Sequence, residues 1–205
     1  MSDDFFATKI EFTHYFVFHD QLYGIDLTLF NKHSPYFHNF QNLDTQINLL
    51  DENEKTIPIS KQAAEIFINY CQYRGFSKAL LDDKETVVGL HYLANKYSVN
   101  ELKNLTADYI SNHHQDLAIH SLRMYPNDSR SQIYEQTIAN DFYKYVKDPF
   151  LSTVPIPNLF RILDKAKVDF DNEDVYNFLF KCLKESRGRA SILFSNAKFE
   201  KRRSQ

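Results

Sequence analysis

Eight histidines, two cysteines and several close acidic pairs are the residues of this chain able to bind a metal, attack an electrophile or exchange a proton. Their spacing decides which of these chemistries is open. His113 and His114 are adjacent, hence about 100° apart around a helix, and cannot both face one ion. His33 and His38 lie on either side of Pro35, no His-Glu-x-x-His or Cys-x-x-Cys is present, and neither Cys71 nor Cys182 has a histidine close in sequence. Surface or partly buried histidines are therefore expected, with no metal. The acidic groups Asp82-Asp83 and Asp51-Glu52-x-Glu54 fall at an expected helix start and an expected turn. Carboxylates there favour the helix dipole or stay solvated, whereas acid–base catalysis needs environments that drive two pKa values apart. Ser34 stands before Pro35 without a small-residue elbow, the pattern of a helix N-cap rather than a nucleophile. Gly24, Gly75, Gly89 and Gly188 are too scattered to let a backbone loop approach a phosphate. No enzyme activity and no cofactor are expected.

The elements that must position any site follow from composition and period. With 43% hydrophobic and 25% charged residues among 205, the chain is a folded protein, as one large or two small domains. A net charge of −3 gives no general attraction to nucleic acid or anionic lipid, so neither is an expected partner. Two lone cysteines fit a reducing compartment, and the acidic start Met1-Ser2-Asp3-Asp4 has no basic n-region or long apolar run. A cytoplasmic or nuclear protein is the expectation.

Tyr15–Ile25 places β-formers on both sides of His19-Asp20-Gln21 and predicts a hairpin. Asp26 is expected to cap a brief helix, and Ser34-Pro35 to start a second. Ile47–Leu50 and Thr56–Ile59 predict a second hairpin around Asp51–Glu54, with Pro58 marking an edge. From Ser60 the period becomes helical: Ala63, Ile66, Phe67, Tyr70 and Cys71, then Val87, Leu90, Leu93, Ala94 and Tyr97 after a cap at Asp82, then Leu102, Leu105, Tyr109 and Ile110 after Asn100. The rest predicts helices only, over Leu117–Met124, Ile133–Tyr145, Leu159–Leu163 and Val175–Leu183, in antiparallel pairs punctuated by prolines. The polar stretch Ser111–Asp116 fits a continuous helix or a hinge, and the basic end Ala197–Gln205 is expected to fray. The aromatics sit mostly at core spacing, as do Phe67 with Tyr70 and Phe142 with Tyr145, rather than interleaved with Arg or Lys as base stacking needs.

Three segments carry a resemblance. Tyr23–Phe37 ends a hairpin on an aromatic and then runs to Ser34-Pro35-Tyr36-Phe37. Thr56–Ile59 leads into a helix with Phe67, Ile68 and Tyr70-Cys71-Gln72-Tyr73. Leu93-Ala94-Asn95-Lys96-Tyr97-Ser98-Val99-Asn100-Glu101-Leu102 follows. Together they resemble the BTB (POZ) family over residues 12–112. Ala118-Ile119, Ile138–Phe142 and Phe150–Leu159 are similar to a divergent BACK domain over 113–185, leaving 186–205 as a C-terminal extension. The resemblance implies an α+β fold, a small sheet flanked by helices, followed by an all-α helical domain.

It also implies adaptor work. Several members of the family bind cullin scaffolds near the Ser-x-Tyr-Phe segment and a following hydrophobic-x-Glu element, which Leu50-Asp51-Glu52 matches after a loop longer than the family's. Partner contact is accordingly expected at Tyr36, Phe37, Phe40, Leu50, Glu52 and Tyr97. The partner the resemblance implies is a cullin-type ubiquitin ligase scaffold or another BTB protein. Many family homodimers keep an acidic residue before the first strand and a His-Arg or His-Lys pair after the aromatic. Those positions here are Thr13, Asp26 and Leu27, so self-pairing through that face is left open. The alternatives are a hetero-oligomerisation scaffold without a ligase role and, more remotely, a small hydrolase with an unrecognised site.

Overall fold

The computed structural model describes residues 12, 14–40, 46–54, 56–73 and 83–195. The fold is α+β, mostly helical with one small mixed sheet, and the chain divides into two compact units between Ala107 and Asp108.

In the first unit β1 (His14–Phe18) and β2 (Gln21–Ile25) form the expected antiparallel hairpin. His19 and Asp20 turn it with φ of 46° and 62°, the left-handed pair that a two-residue hairpin loop needs and that Asn-Gly usually supplies. Phe16 and Phe18 face inward, 0% and 3% exposed, as strand alternation requires. Gly24 is fixed by space: the Phe12 ring occupies the position a Cβ there would take. The outer edge of β2 is closed by Gln72, whose amide donates to the Gly24 carbonyl (3.3 Å) and accepts from the Asp26 N–H (3.1 Å), much as a neighbouring strand would.

α1 (Leu27–His33) starts where Asp26 Oδ1 accepts from Thr28 N, and a 3-10 helix (Pro35–Phe40) follows Ser34, whose Oγ accepts from Tyr36 N at 3.1 Å. The second hairpin does not form. β3 (Gln46–Asn48) instead pairs parallel to β1, giving the order β2-β1-β3. Glu52–Glu54 is a 3-10 turn, and Thr56–Ile59 continues in turns closed by Ile57 N to Glu54 O and Ile59 N to Ile57 O. Pro58 has no N–H to offer a ladder, and the turn has already used the local carbonyls.

α2 (Lys61–Tyr73) is capped by Ser60 through Ala63 N (3.1 Å). α3 (Lys84–Lys96) is capped by Asp83, which accepts from Thr86 N at 2.8 Å, one residue later than predicted; Asp82 lies outside the described residues. Ser98 ends α3 in the left-handed conformation, φ 54°, with Val99 N bonded back to Ala94 O, a position where glycine is usual. α4 (Asn100–Asn112) follows, the division between the units falling within it.

The second unit is helical. α4 and α5 (His114–Met124) are separate helices: His113 intervenes with φ −120° and ψ 26°, its ring stacked on Tyr109 with centroids 4.1 Å apart. The stretch Ile133–Tyr145 is two helices, α6 (Ser131–Asn140) and α7 (Phe142–Tyr145), broken at Asp141. A 3-10 turn (Leu151–Thr153), α8 (Ile156–Ala166) and α9 (Glu173–Glu185) complete it. A final 3-10 helix (Arg189–Phe194) extends the packing beyond residue 185, with Ala190 and Leu193 in the same core as Leu122, Ile138, Phe142, Ile162 and Leu179. Each large apolar side chain buried there contributes about 1.5–3 kcal/mol.

Candidate functional site

Tyr97, at the end of α3, joins the segments singled out in the sequence. Its ring stacks on Phe37 (centroids 5.2 Å, planes 15° apart), meets Phe16 and Tyr36 edge-on at 5.8 and 5.1 Å, and lies 5.4 Å from Phe67. Its hydroxyl donates to the Leu49 carbonyl at 2.7 Å. Ser34 Oγ donates to the Tyr97 carbonyl. One residue thereby ties the Ser34–Phe37 segment to the strand end that leads into Leu50-Asp51-Glu52. Burial, and behind it the Tyr36, Asp51, Glu54 and Tyr92 groups, push the Tyr97 phenol well above its ordinary range, so it stays a neutral donor.

The Asp51–Glu54 turn is held from below. Glu54 Oε2 accepts from Asp51 N at 2.8 Å and from the Lys96 ammonium, while Tyr92 OH donates to Glu54 Oε1. Lys96 also reaches Asp51 (3.2 Å) and the Leu49 carbonyl (3.3 Å). Burial alone would raise the Glu54 carboxyl, but the hydrogen bonds from Lys96, Tyr92 and the Asp51 backbone outweigh it and hold the group below its ordinary value. Lys96 is 11% exposed and Asp51 70%; the ammonium sits under the turn while Asp51, Glu52 and Asn53 face solvent.

The six residues of the expected contact separate accordingly. Tyr36, 38% exposed, and Glu52 stand at the surface. Phe37 and Tyr97 are 0% and 1% exposed, and Leu50 is 8% exposed. These three are packing residues that present almost no surface to a partner, because the aromatic cluster closes over the rings and Leu50 lies in the floor of a hollow of about 270 Å³ with Val17, Phe18, His19 and Asn48. The side chain of Phe40 lies outside the described residues, as does Thr13. Sequence reasoning missed Tyr92, Lys96 and Glu54; the signal available was the acidic run at 51–54 and a lysine inside the Leu93–Leu102 motif.

Groups able to do chemistry are engaged elsewhere. His91 Nδ1 bonds Thr106 Oγ1 at 3.0 Å inside the first unit, and the Thr106 hydroxyl also donates to Leu102 O. Both cysteines are buried; burial pushes the Cys71 thiol up, and burial with the nearby Glu185 carboxylate pushes Cys182 up to about 12. Among the described residues no three His, Cys, Asp or Glu side chains converge to hold an ion, and no helix is long and apolar enough to cross a membrane.

In the second unit Glu135, fully buried on α6, accepts from Arg161 Nε (2.8 Å), Lys165 Nζ (2.8 Å) and Asn158 Nδ2 (3.1 Å), all on α8. This is a charged pin between two helices. No protein-family model matches the chain, and no curated protein matches its sequence.

Proposed function

We propose that the chain is a non-enzymatic interaction protein of the cell interior, a BTB-like unit followed by a BACK-like helical unit, that acts as an adaptor by surface complementarity. The observation that supports this reading most is the Ser34–Tyr97–Leu49 linkage. It unites the segments that resemble the family and leaves Tyr36 and Glu52 at the surface. The partner we assign to this face is a cullin-type ubiquitin ligase scaffold.

A second reading, a scaffold that pairs with other BTB proteins, draws on Asp26 and Leu27. Asp26 caps α1 and Leu27 is 6% exposed in the core. Neither supplies the charged pair used in many homodimers, and such a change favours unlike partners over like.

The test is affinity capture from a cell extract with the wild-type chain and with Tyr36→Ala/Glu52→Lys, read by quantitative mass spectrometry. Cullins enriched by the wild type and lost by the variant support the adaptor; BTB proteins enriched equally by both support the scaffold. If both enrich neither class, the proposal fails.

A further inference from the structure

We infer that α9 is a self-association surface, on which a second copy of this chain packs its own α9 antiparallel about a two-fold axis. This goes beyond the adaptor reading and does not depend on it. The helix starts on Asn172, whose side chain accepts from Asp174 N and Val175 N, and buries Val175, Phe178, Leu179 and Cys182 on one side. The other side carries Glu173, Tyr176, Asn177, Phe180 and Lys184, all exposed. Tyr176 and Phe180 are 54% and 55% exposed. Their rings lie nearly parallel, 11° apart with centroids at 6.4 Å, a flat aromatic surface formed before any partner arrives.

The charges name the occupant. Acid lies in the first turn of the stripe and base in the last, and among the described residues no ion pair involves Glu173 or Lys184. A two-fold axis crossing the helix level with the Phe178–Leu179 step sets Glu173 of each copy against Lys184 of the other. The same operation lays Phe180 over Asn177, at the rim of a hollow of about 310 Å³ lined also by Val146, Pro149 and Phe178. It brings Tyr176 over Lys181, whose ammonium donates to the Pro149 carbonyl at 3.1 Å and lies 3.9 Å from Glu185; a cation at the face of a tyrosine is attractive. Antiparallel packing also opposes the two helix dipoles favourably. A parallel arrangement would oppose like charges at both ends, so the pattern selects one geometry and one closed stoichiometry. One helix face is smaller than the ~1,200 Å² of a standard interface, so the pairing is weak and concentration-dependent.

Sedimentation equilibrium of the full chain tests this. Wild type should dimerise with a dissociation constant on the order of 10–100 µM. Glu173→Lys alone and Lys184→Glu alone should each weaken it by about tenfold, because each places like charges at both symmetry-related contacts. Mixing the two single variants should restore one-to-one dimers. In the mixed pair the lysine introduced by Glu173→Lys faces the glutamate introduced by Lys184→Glu, and the native Glu173 of one chain faces the native Lys184 of the other. Circular dichroism melts check that both variants fold. A wild-type chain that stays monomeric to about 0.5 mM, single variants that dimerise like wild type, or folded variants that do not recover on mixing would each overturn the inference.

Discussion

Tyr97 lies flat against Phe37, with ring centroids 5.2 Å apart, while its hydroxyl donates to the carbonyl of Leu49 at 2.7 Å. One face of the residue is hydrocarbon packing and its tip is a buried hydrogen bond, so two substitutions separate the terms. Tyr97→Phe keeps the stack and removes the 2.7 Å donor from the Leu49 carbonyl, which keeps the longer bond from Lys96 at 3.3 Å; the expected loss is about 1–2 kcal/mol in urea unfolding. Tyr97→Ala opens the cluster and should cost about 3–5 kcal/mol. Equal losses would mean that the ring packing contributes nothing beyond the hydroxyl.

Lys96→Met should change how stability depends on pH. Glu54 has a folded pKa below its ordinary 4.5, so the unfolded chain binds its proton first as pH falls. Its contribution is complete above the unfolded value and is lost as pH drops through the folded one. Without Lys96 the carboxylate loses the strongest of the hydrogen bonds that hold its pKa down, so the pKa of Glu54 rises. At neutral pH Lys96→Met should melt lower by an amount equivalent to about 1–3 kcal/mol, and the gap to wild type should narrow toward acid. Melting curves from neutral pH to below 4.5 check it; a gap that widens in acid would contradict the pairing.

Glu135→Gln should be the most damaging charge change in the second unit. It removes the anion from two cations while keeping the shape, and breaking a buried pair costs about 3–5 kcal/mol. Arg161 and Lys165 are 45% and 30% exposed, so water recovers part of that and the lower end is expected. Chemical denaturation checks it. A loss below about 0.5 kcal/mol, the usual range of a surface substitution, would show that the network is incidental.

The left-handed positions without glycine at the hairpin turn and at the end of α3 should be improvable. His19→Asn with Asp20→Gly, and separately Ser98→Gly, replace residues at φ 46°, 62° and 54° with types that adopt such values more readily. Each change should add about 0.5–1 kcal/mol, set against the greater freedom glycine gives the unfolded chain. A fall in the urea midpoint would indicate that the side chains of His19 or Ser98 contribute contacts of greater worth.

Much of this was legible in the residues. Asp26 and Ser60 mark their helices as N-caps because their oxygens bond orphan amides, and the stripe Ala63, Phe67, Tyr70 and Cys71 lies in the core as helical period requires. The parallel pairing of β3 was not legible: three residues are too few to show alternation, and which strand they join is decided by tertiary packing around Phe16 and Ile47. Nor was the Glu135 pin, since an acid between Tyr134 and Gln136 reads as part of a solvated face until Arg161 and Lys165 arrive from another helix. At the candidate site the motif residues were visible but their roles were not. Phe37 and Tyr97 resemble contact residues in sequence and form the frame in space, whereas Lys96, inside the Leu93–Leu102 motif, and Glu54, in the acidic run, hold the exposed turn by a pairing across 42 residues that neither segment announces.

We propose that the face built on Tyr97 and presented by Tyr36 and Glu52 binds a cullin scaffold. Calorimetric titration of the full chain with the N-terminal region of a cullin tests it most directly, with Glu52→Lys run beside wild type. Binding in the micromolar range or tighter, weakened about tenfold by Glu52→Lys with an unchanged melting temperature, is the expected result. No detectable heat with the wild type, or equal affinity for both proteins, would contradict it.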